Sequence, residues 1–320
     1  METGKEYLKN RLKHATQIKK IRGEASTRSF YRIQFPNYTL IAMVYPAENP
    51  DEISKITRLT RLYLQHHIHV PEIKEIIDNR VILQQDLGDL LAQKAFFLFK
   101  AGDREKIITS VADILVHVKG IPTSNTAAVH DTARMKWEMD FFYTHFAKNY
   151  LRSALSPGHA GEFQERLHRM VEQIHPIDTF AHRDFHSRNM LIHEDRLYLV
   201  DFQDSLVASP YYDLVSFAFD CYLDLKSHRQ TLLALLKTRG ITVDDDLYYT
   251  AALQRNIKAL GTFGYQVTVR KNLAYKKYIP RTLRHIAANP RFGTFFQSED
   301  FALAGKGASQ KGPIPVDLKR

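Results

Sequence analysis

The stretch His182-Arg183-Asp184-Phe185-His186-Ser187-Arg188-Asn189 decides how this chain is read. It fits the pattern H-R-D-x-x-x-x-N, in which the aspartate accepts the proton of a substrate hydroxyl and the asparagine holds a magnesium ion. The spacing has a physical basis. A loop turns one carboxylate toward an acceptor, and five residues later an amide oxygen can face a metal. Downstream, Met190-Leu191-Ile192 and Leu197–Val200 read as short strands around the turn His193-Glu194-Asp195-Arg196. This hairpin delivers Asp201, twelve residues after Asn189. An apolar strand ending in an acidic residue leaves a carboxylate at the strand mouth, and magnesium takes such oxygens together with phosphates. Alone, Asp201 reads equally well as a turn or cap aspartate, and a His-Arg-Asp tripeptide occurs by chance. Loop, hairpin and second aspartate in this order carry the argument.

Outward from this stretch the pattern changes twice. Upstream, Ile21–Tyr45 reads as strand, turn, strand, strand, with Pro36-Asn37 as a turn. A helix follows, with Asn49 as cap, Pro50 in the first turn, and Ile53, Ile56, Leu59 and Leu62 at helical spacing. Val81-Ile82-Leu83 is a short strand, and Gln84–Asp89 reads as a hinge between lobes. Beyond Leu90 the pattern is mainly helical, as over Ile107–Val118 and Trp137–Tyr150, with a helix starting near Ser209-Pro210. The expectation is an α+β chain: a small antiparallel-sheet lobe over 1–87, a larger, mainly helical lobe over 88–303, and a poorly ordered tail over 304–320 rich in Gly, Ser, Lys and Pro.

Composition sets further bounds. The 320 residues carry 45 basic and 35 acidic side chains, a formal charge of 45 − 35 = +10. That excess suits a polyanionic partner such as a nucleotide. The densest basic stretch, Arg270–Arg284, reads as a solvated helix face or an acidic-substrate rim rather than a nucleic-acid surface. No window is long and apolar enough to span a bilayer, and the first residues lack a secretory apolar run. The single cysteine, Cys221, lies in an apolar run and reads as a small core residue. A cytoplasmic location is expected from these features.

The quoted motifs resemble those of the aminoglycoside phosphotransferase and choline kinase superfamily, which shares the protein-kinase fold. Within it, the chain is similar to bacterial anomeric kinases of N-acetylmuramate and N-acetylglucosamine. The matching pieces are Gly23–Arg28, Asp86-Leu87-Gly88-Asp89, Trp137-Glu138-Met139, His182–Asn189, Asp201-Phe202-Gln203-Asp204, Tyr212–Ser216 and Ile279-Pro280-Arg281. The resemblance implies a bilobal protein-kinase-like fold using ATP and Mg2+. Asp184 would be the catalytic base, or the group that orients the hydroxyl, and Asn189 and Asp201 would bind magnesium. Asp213, through His182, would brace the loop. Ser26 and Thr27 would cradle phosphate, and backbone near Gln85 and Leu87 would meet adenine. Arg188, Asp204 and Glu138 are candidates for the acceptor. Trp137 is a further one, though it reads more readily as helix core.

One departure stands out. Protein kinases place a phosphate-binding lysine on the third strand. Leu40-Ile41-Ala42-Met43-Val44-Tyr45 has none. Arg28, or alternatively Arg32, is expected to supply the charge, since arginine grips phosphate with two parallel hydrogen bonds.

Three readings rival that of a small-molecule kinase. A protein kinase needs an activation segment, and the twelve residues from Asp201 to Asp213 leave no room for one. A metallohydrolase using His182, Asp184 and His186 leaves Asn189 and Asp201 without purpose. A catalytically inactive binding protein is supported only by the missing lysine. The expected acceptor is the anomeric hydroxyl of an amino sugar, with an aminoglycoside or choline as the alternative. Oligomeric state is not readable from the sequence.

Overall fold

Alternating apolar side chains along 39–45 and 81–83 build one layer of the molecule. The structure is a computed structural model that describes residues 3–21, 28–152 and 157–297. Ser26, Thr27 and the tail 304–320 lie outside the described residues. Helix α1 (Gly4–Arg11) leads into strands β1 (Gln17–Ile21), β2 (Ser29–Gln34) and β3 (Thr39–Val44), followed by α2 (Pro50–Gln65), β4 (Ile73–Ile77) and β5 (Val81–Gln85). The five strands form one antiparallel sheet, ordered β1-β2-β3-β5-β4.

Successive side chains of a strand point to opposite faces. Ala42, Val44, Val81 and Leu83 thus join Tyr7 and Leu8 of α1 in one core. Met43, Tyr45 and Ile82 join Ile53 and Ile56 of α2 in another. Burying each such aliphatic side chain contributes about 2 kcal/mol. The start of α2 follows its sequence: the Asn49 side chain accepts from the Glu52 amide and Pro50 opens the helix. Strand β4 was not legible, because Lys74-Glu75-Ile76 are all exposed at the sheet edge and show no alternation.

The chain continues through α3 (Ala92–Leu98), α4 (Ala101–Lys119), α5 (Thr132–Phe142), α6 (Pro157–Glu172) and β6 (Thr179–Ala181). The hairpin of β7 (Met190–His193) and β8 (Arg196–Leu199) follows. Then come β9 (Leu206–Ala208), α7 (Tyr212–Ala218), α8 (Arg229–Thr238), α9 (Asp245–Thr268), α10 (Ile279–Ala287) and α11 (Phe292–Phe295). Helix α7 starts two residues after Pro210, within the usual scatter of helix ends. Where one helix was expected over 137–150, α5 ends at Phe142 and the chain runs on as a π-helical turn, Tyr143–Lys148. No helix among the described residues is long and apolar enough to cross a membrane.

Two compact units result. One holds the described residues of Met1–Ser110 and Arg188–Gln203, the other those of Val111–Ser187 and Asp204–Arg320. The β7–β8 hairpin thus belongs with the sheet, in a unit made of two stretches of chain. Backbone bonds explain this. Ile192 N–H donates to the Leu90 carbonyl at 2.8 Å, and Leu199 N–H to that of His69 at 2.8 Å. These partners lie over a hundred residues apart, beyond any local pattern.

In the second unit, α9 runs through the core with most of its length buried. It lies very close to α5 and the π-helical turn. A Cβ at Gly261 would come within 2.8 Å of Phe142 Cα, and one at Gly264 within 2.5 Å of the His145 carbonyl oxygen. Only glycine permits that approach.

Candidate active site

A carboxylate is an acceptor only, so burying one requires donors. Two buried aspartates of the second unit find donors in the loop 182–189. Asp213, in the first turn of α7, accepts from His182 N–H at 2.6 Å and Arg183 N–H at 3.0 Å. Asp220 accepts from Ser187 N–H at 2.8 Å and Tyr222 N–H at 2.6 Å. The segment is therefore tied at its start and near its end. Between the ties, Arg183 adopts φ 81°, a conformation costly for a side chain of this size. Such strain persists only where surroundings over-determine it, and it gathers at functional sites. Asp213 meets the backbone amides rather than the His182 ring, which packs buried against Phe185 with centroids 6.0 Å apart.

Asp184 follows the strained residue. Its side chain is 28% exposed, and one oxygen, Oδ1, faces two cations: Arg255 Nη2 at 3.8 Å and Lys258 Nζ at 3.7 Å. Burial alone would raise its pKa. Lys258 and Arg255, then His186 and Arg183, outweigh that and hold the carboxyl well below the usual range. Arg255 is itself fixed, its Nε donating to Ser216 Oγ at 2.9 Å. Glu138 lies behind this group. It is buried, accepts from Gln254 Nε2 at 2.7 Å, and meets His130 Nε2 at 3.0 Å. Burial pushes its pKa up, but His130 and Lys258 bring it down to about 2. Burial and Arg255 lower the Lys258 pKa, against Asp184 and Glu138. Charges thus alternate from Arg255 to Asp184, Lys258 and Glu138. Asp204, half-exposed, pairs with Arg183 at 3.5 Å. Trp137 is no core residue: it is 61% exposed and packs tilted against Phe141 with ring centroids 5.3 Å apart.

Sequence reading missed Asp220, Gln254, Arg255 and Lys258. The last three share α9, more than sixty residues from Asp184. A signal existed, since Gln254-Arg255-Asn256 and Lys258 interrupt an apolar helix, and buried polar residues call for a reason.

In the first unit, the hairpin pairs Met190 with Leu199, and Val200 N–H donates to the Asn189 carbonyl at 3.0 Å. Asn189 and Asp201 therefore flank one end of a single hairpin. Asp201 has φ 66° and is half-exposed. Its Oδ1 accepts from Gln203 Nε2 at 2.8 Å and lies 3.7 Å from Arg28 Nη2. Of the two arginines expected to serve phosphate, Arg32 is bound by four hydrogen bonds to Asp86 and Asp89. Arg28 is the one beside Asp201. Gln85 N–H donates to the Glu72 carbonyl at 2.9 Å. The backbone of Leu87 makes no hydrogen bond among the described residues. Arg188 is half-buried at the first residue of the hairpin segment. Asn189 and Asp201 offer hard oxygen donors, which fit magnesium completed by phosphate and water. No three His, Cys, Asp or Glu gather as a metal set among the described residues.

Asp213 also sets a pH dependence. Burial raises its folded pKa to about 7, against its two amide donors. In the unfolded chain it is about 3.9. Between these values the folded state holds more protons, so stability declines as pH rises from about 4 to about 7 and stays lower above. At about 1.4 kcal/mol per tenfold in proton affinity, the loss is on the order of 4 kcal/mol. Asp213→Asn is expected to flatten this decline in urea unfolding at pH 5 and pH 8. Parallel declines in variant and wild type would contradict it.

Comparison with known proteins follows the same line. The profile described as the phosphotransferase enzyme family matches residues 17–236. The chain is 23% identical over 206 residues to N-acetylmuramate/N-acetylglucosamine kinase of Pseudomonas aeruginosa, covering 62% of this chain and 59% of that protein. It is 23% identical over 278 residues to the enzyme of that name from Neisseria meningitidis, covering 82% of each. Among solved structures, ADP-bound aminoglycoside phosphotransferase APH(2'')-Ib aligns with TM-score 0.60 at 14% identity, over 87% of this chain and 95% of that one. The gentamicin complex of APH(2'')-IIa aligns with TM-score 0.60 at 15% identity, over 94% and 99%. At such identity these structures share the fold.

Proposed function

Given that the chain belongs to the phosphotransferase enzyme family, we propose that it transfers the γ-phosphoryl group of ATP, bound with magnesium, to the anomeric hydroxyl of N-acetylmuramate or N-acetylglucosamine. The observation that carries this reading is Asp184, held ionised on a strained loop that two buried aspartates fix. The names of the curated relatives support the sugar.

In this reading Asp184 accepts a hydrogen bond from the acceptor hydroxyl. The hydroxyl oxygen bonds to the γ-phosphorus, the bond from phosphorus to the β,γ-bridging oxygen breaks, ADP leaves, and the hydroxyl proton passes to Asp184. A carboxylate with so low a pKa is a weak base. Its contribution is therefore mainly orientation, with the proton arriving late, which suits a loose phosphoryl-transfer transition state. Asn189 and Asp201 would hold magnesium, which neutralises phosphate charge when bound. Arg28 would take the part of the absent lysine, with Ser26 and Thr27 at the phosphates. Leu87 would offer adenine its backbone amide and carbonyl. The amide of Gln85 is already engaged, so this residue would contribute its carbonyl. Arg183 and Asp204 neutralise each other beside the acceptor, and Glu138 supports Lys258.

The test is a coupled ADP-release assay with N-acetylmuramate, N-acetylglucosamine, an aminoglycoside and choline, followed by phosphorus NMR of the product. Sugar-dependent ADP release and a sugar 1-phosphate are expected. Turnover with the aminoglycoside or choline alone would overturn the sugar assignment.

A further inference from the structure

Helix α9 brings two cations, Arg255 and Lys258, to one oxygen of Asp184. Arg255 is fixed beside this carboxyl: its guanidinium donates to Ser216 Oγ at 2.9 Å and its side chain is 10% exposed. Lys258, one turn further along, sets an ammonium 3.7 Å from the same oxygen. Placing two like charges together in a largely buried site is costly, and Arg255 indeed weakens the hold of Lys258 on its proton.

Lys258 differs from Arg255 in two respects. Its side chain is 16% exposed, and its ammonium, with three donors, makes no hydrogen bond among the described residues. The distance to Asp184 is an ion-pair distance, longer than a hydrogen bond. An ammonium on a flexible four-carbon stem can turn from Asp184 toward another anion without breaking a bond. The part-exposed face of α9 continues from Lys258 through Thr262 to Tyr265, whose ring lies 5.6 Å from Phe141. This face offers uncharged and aromatic groups, with no further acidic side chain among them.

We propose that Lys258 determines acceptor specificity by charge: it binds the carboxylate of an anionic sugar whose hydroxyl is held by Asp184, and with Arg255 it repels cationic acceptors. The proposal rests on the role of Asp184 given above. Glu138, satisfied by His130 and Gln254, keeps the ammonium charged without competing for its hydrogen bonds. Arg255 is a positioning residue, whereas Lys258 touches the substrate.

The experiment compares kcat/KM for N-acetylmuramate with that for N-acetylglucosamine, which lacks the lactyl carboxylate, in wild type, Lys258→Met and Lys258→Arg. Loss of Lys258 also alters Asp184, but that change affects both sugars and cancels in the ratio. The acid-to-neutral ratio is expected to fall about ten- to hundredfold in Lys258→Met, mainly through KM, and to recover in Lys258→Arg. Parallel loss on both sugars overturns the proposal. A measurement on wild type needs no variant to fold: the methyl ester of N-acetylmuramate should lose the same factor, and equal use of acid and ester overturns the proposal. Turnover of neither sugar by wild type would overturn the sugar-kinase reading itself, and this proposal with it.

Discussion

Asp184→Asn is expected to lower kcat by about 10³-fold while the protein remains folded. The size follows from what the substitution removes. The amide keeps the shape of the side chain but cannot accept a proton, and a positioned proton acceptor contributes about 10²–10⁴-fold. It also leaves Arg255 and Lys258, 10% and 16% exposed, without their shared counter-charge. An uncompensated buried charge destabilises by about 3–5 kcal/mol. Here the cost is smaller, because Asp184 is 28% exposed and water reaches the site. A fall of a few degrees in Tm is expected. ADP-release kinetics and thermal unfolding on the same sample separate the two effects. A folded variant turning over within tenfold of wild type would remove Asp184 from the chemistry.

The sequence is legible where cause and effect are local. The H-R-D-x-x-x-x-N stretch, the hairpin after it and the cap of α2 each depend on residues within a few positions of one another. The strain at Arg183 is not visible in sequence, but its setting is half visible: Asp213 opens the first helix after the hairpin and β9. Asp220 was hidden because a lone aspartate in an apolar run looks like a boundary. Here it is the second anchor of the loop. Arg255 and Lys258 were hidden for a different reason. Helix α9 is buried nearly all round, so its polar residues fall outside any amphipathic stripe, and their partner lies seventy residues upstream. The grouping of the hairpin with the sheet was hidden because the Leu90 and His69 carbonyls that accept from it lie far upstream, and no composition shift marks them. Trp137 was read as core on residue type, but its place on α5 leaves it exposed, whereas Glu138 beside it is buried.

Asp201→Asn should raise the magnesium concentration for half-maximal turnover by about tenfold or more, and Arg28→Ala should not. Asparagine is the informative substitution here. Asp201 has φ 66°, a conformation asparagine tolerates and alanine does not, so backbone strain does not confound the result. The variant keeps one oxygen and loses the charge, which is what a hard divalent cation needs most. It also removes the anion 3.7 Å from Arg28 Nη2. The guanidinium is then attracted only by phosphate, and a negative charge that opposed the nucleotide is gone. ATP binding without magnesium should therefore be unchanged or tighter in Asp201→Asn, but weaker by about tenfold in Arg28→Ala, as befits a charge-assisted bond to phosphate. Calorimetric titration of ATP with and without magnesium resolves the pair. If Asp201→Asn shows the magnesium requirement of wild type, Asp201 is the turn aspartate its sequence position also allows, and the metal is held elsewhere.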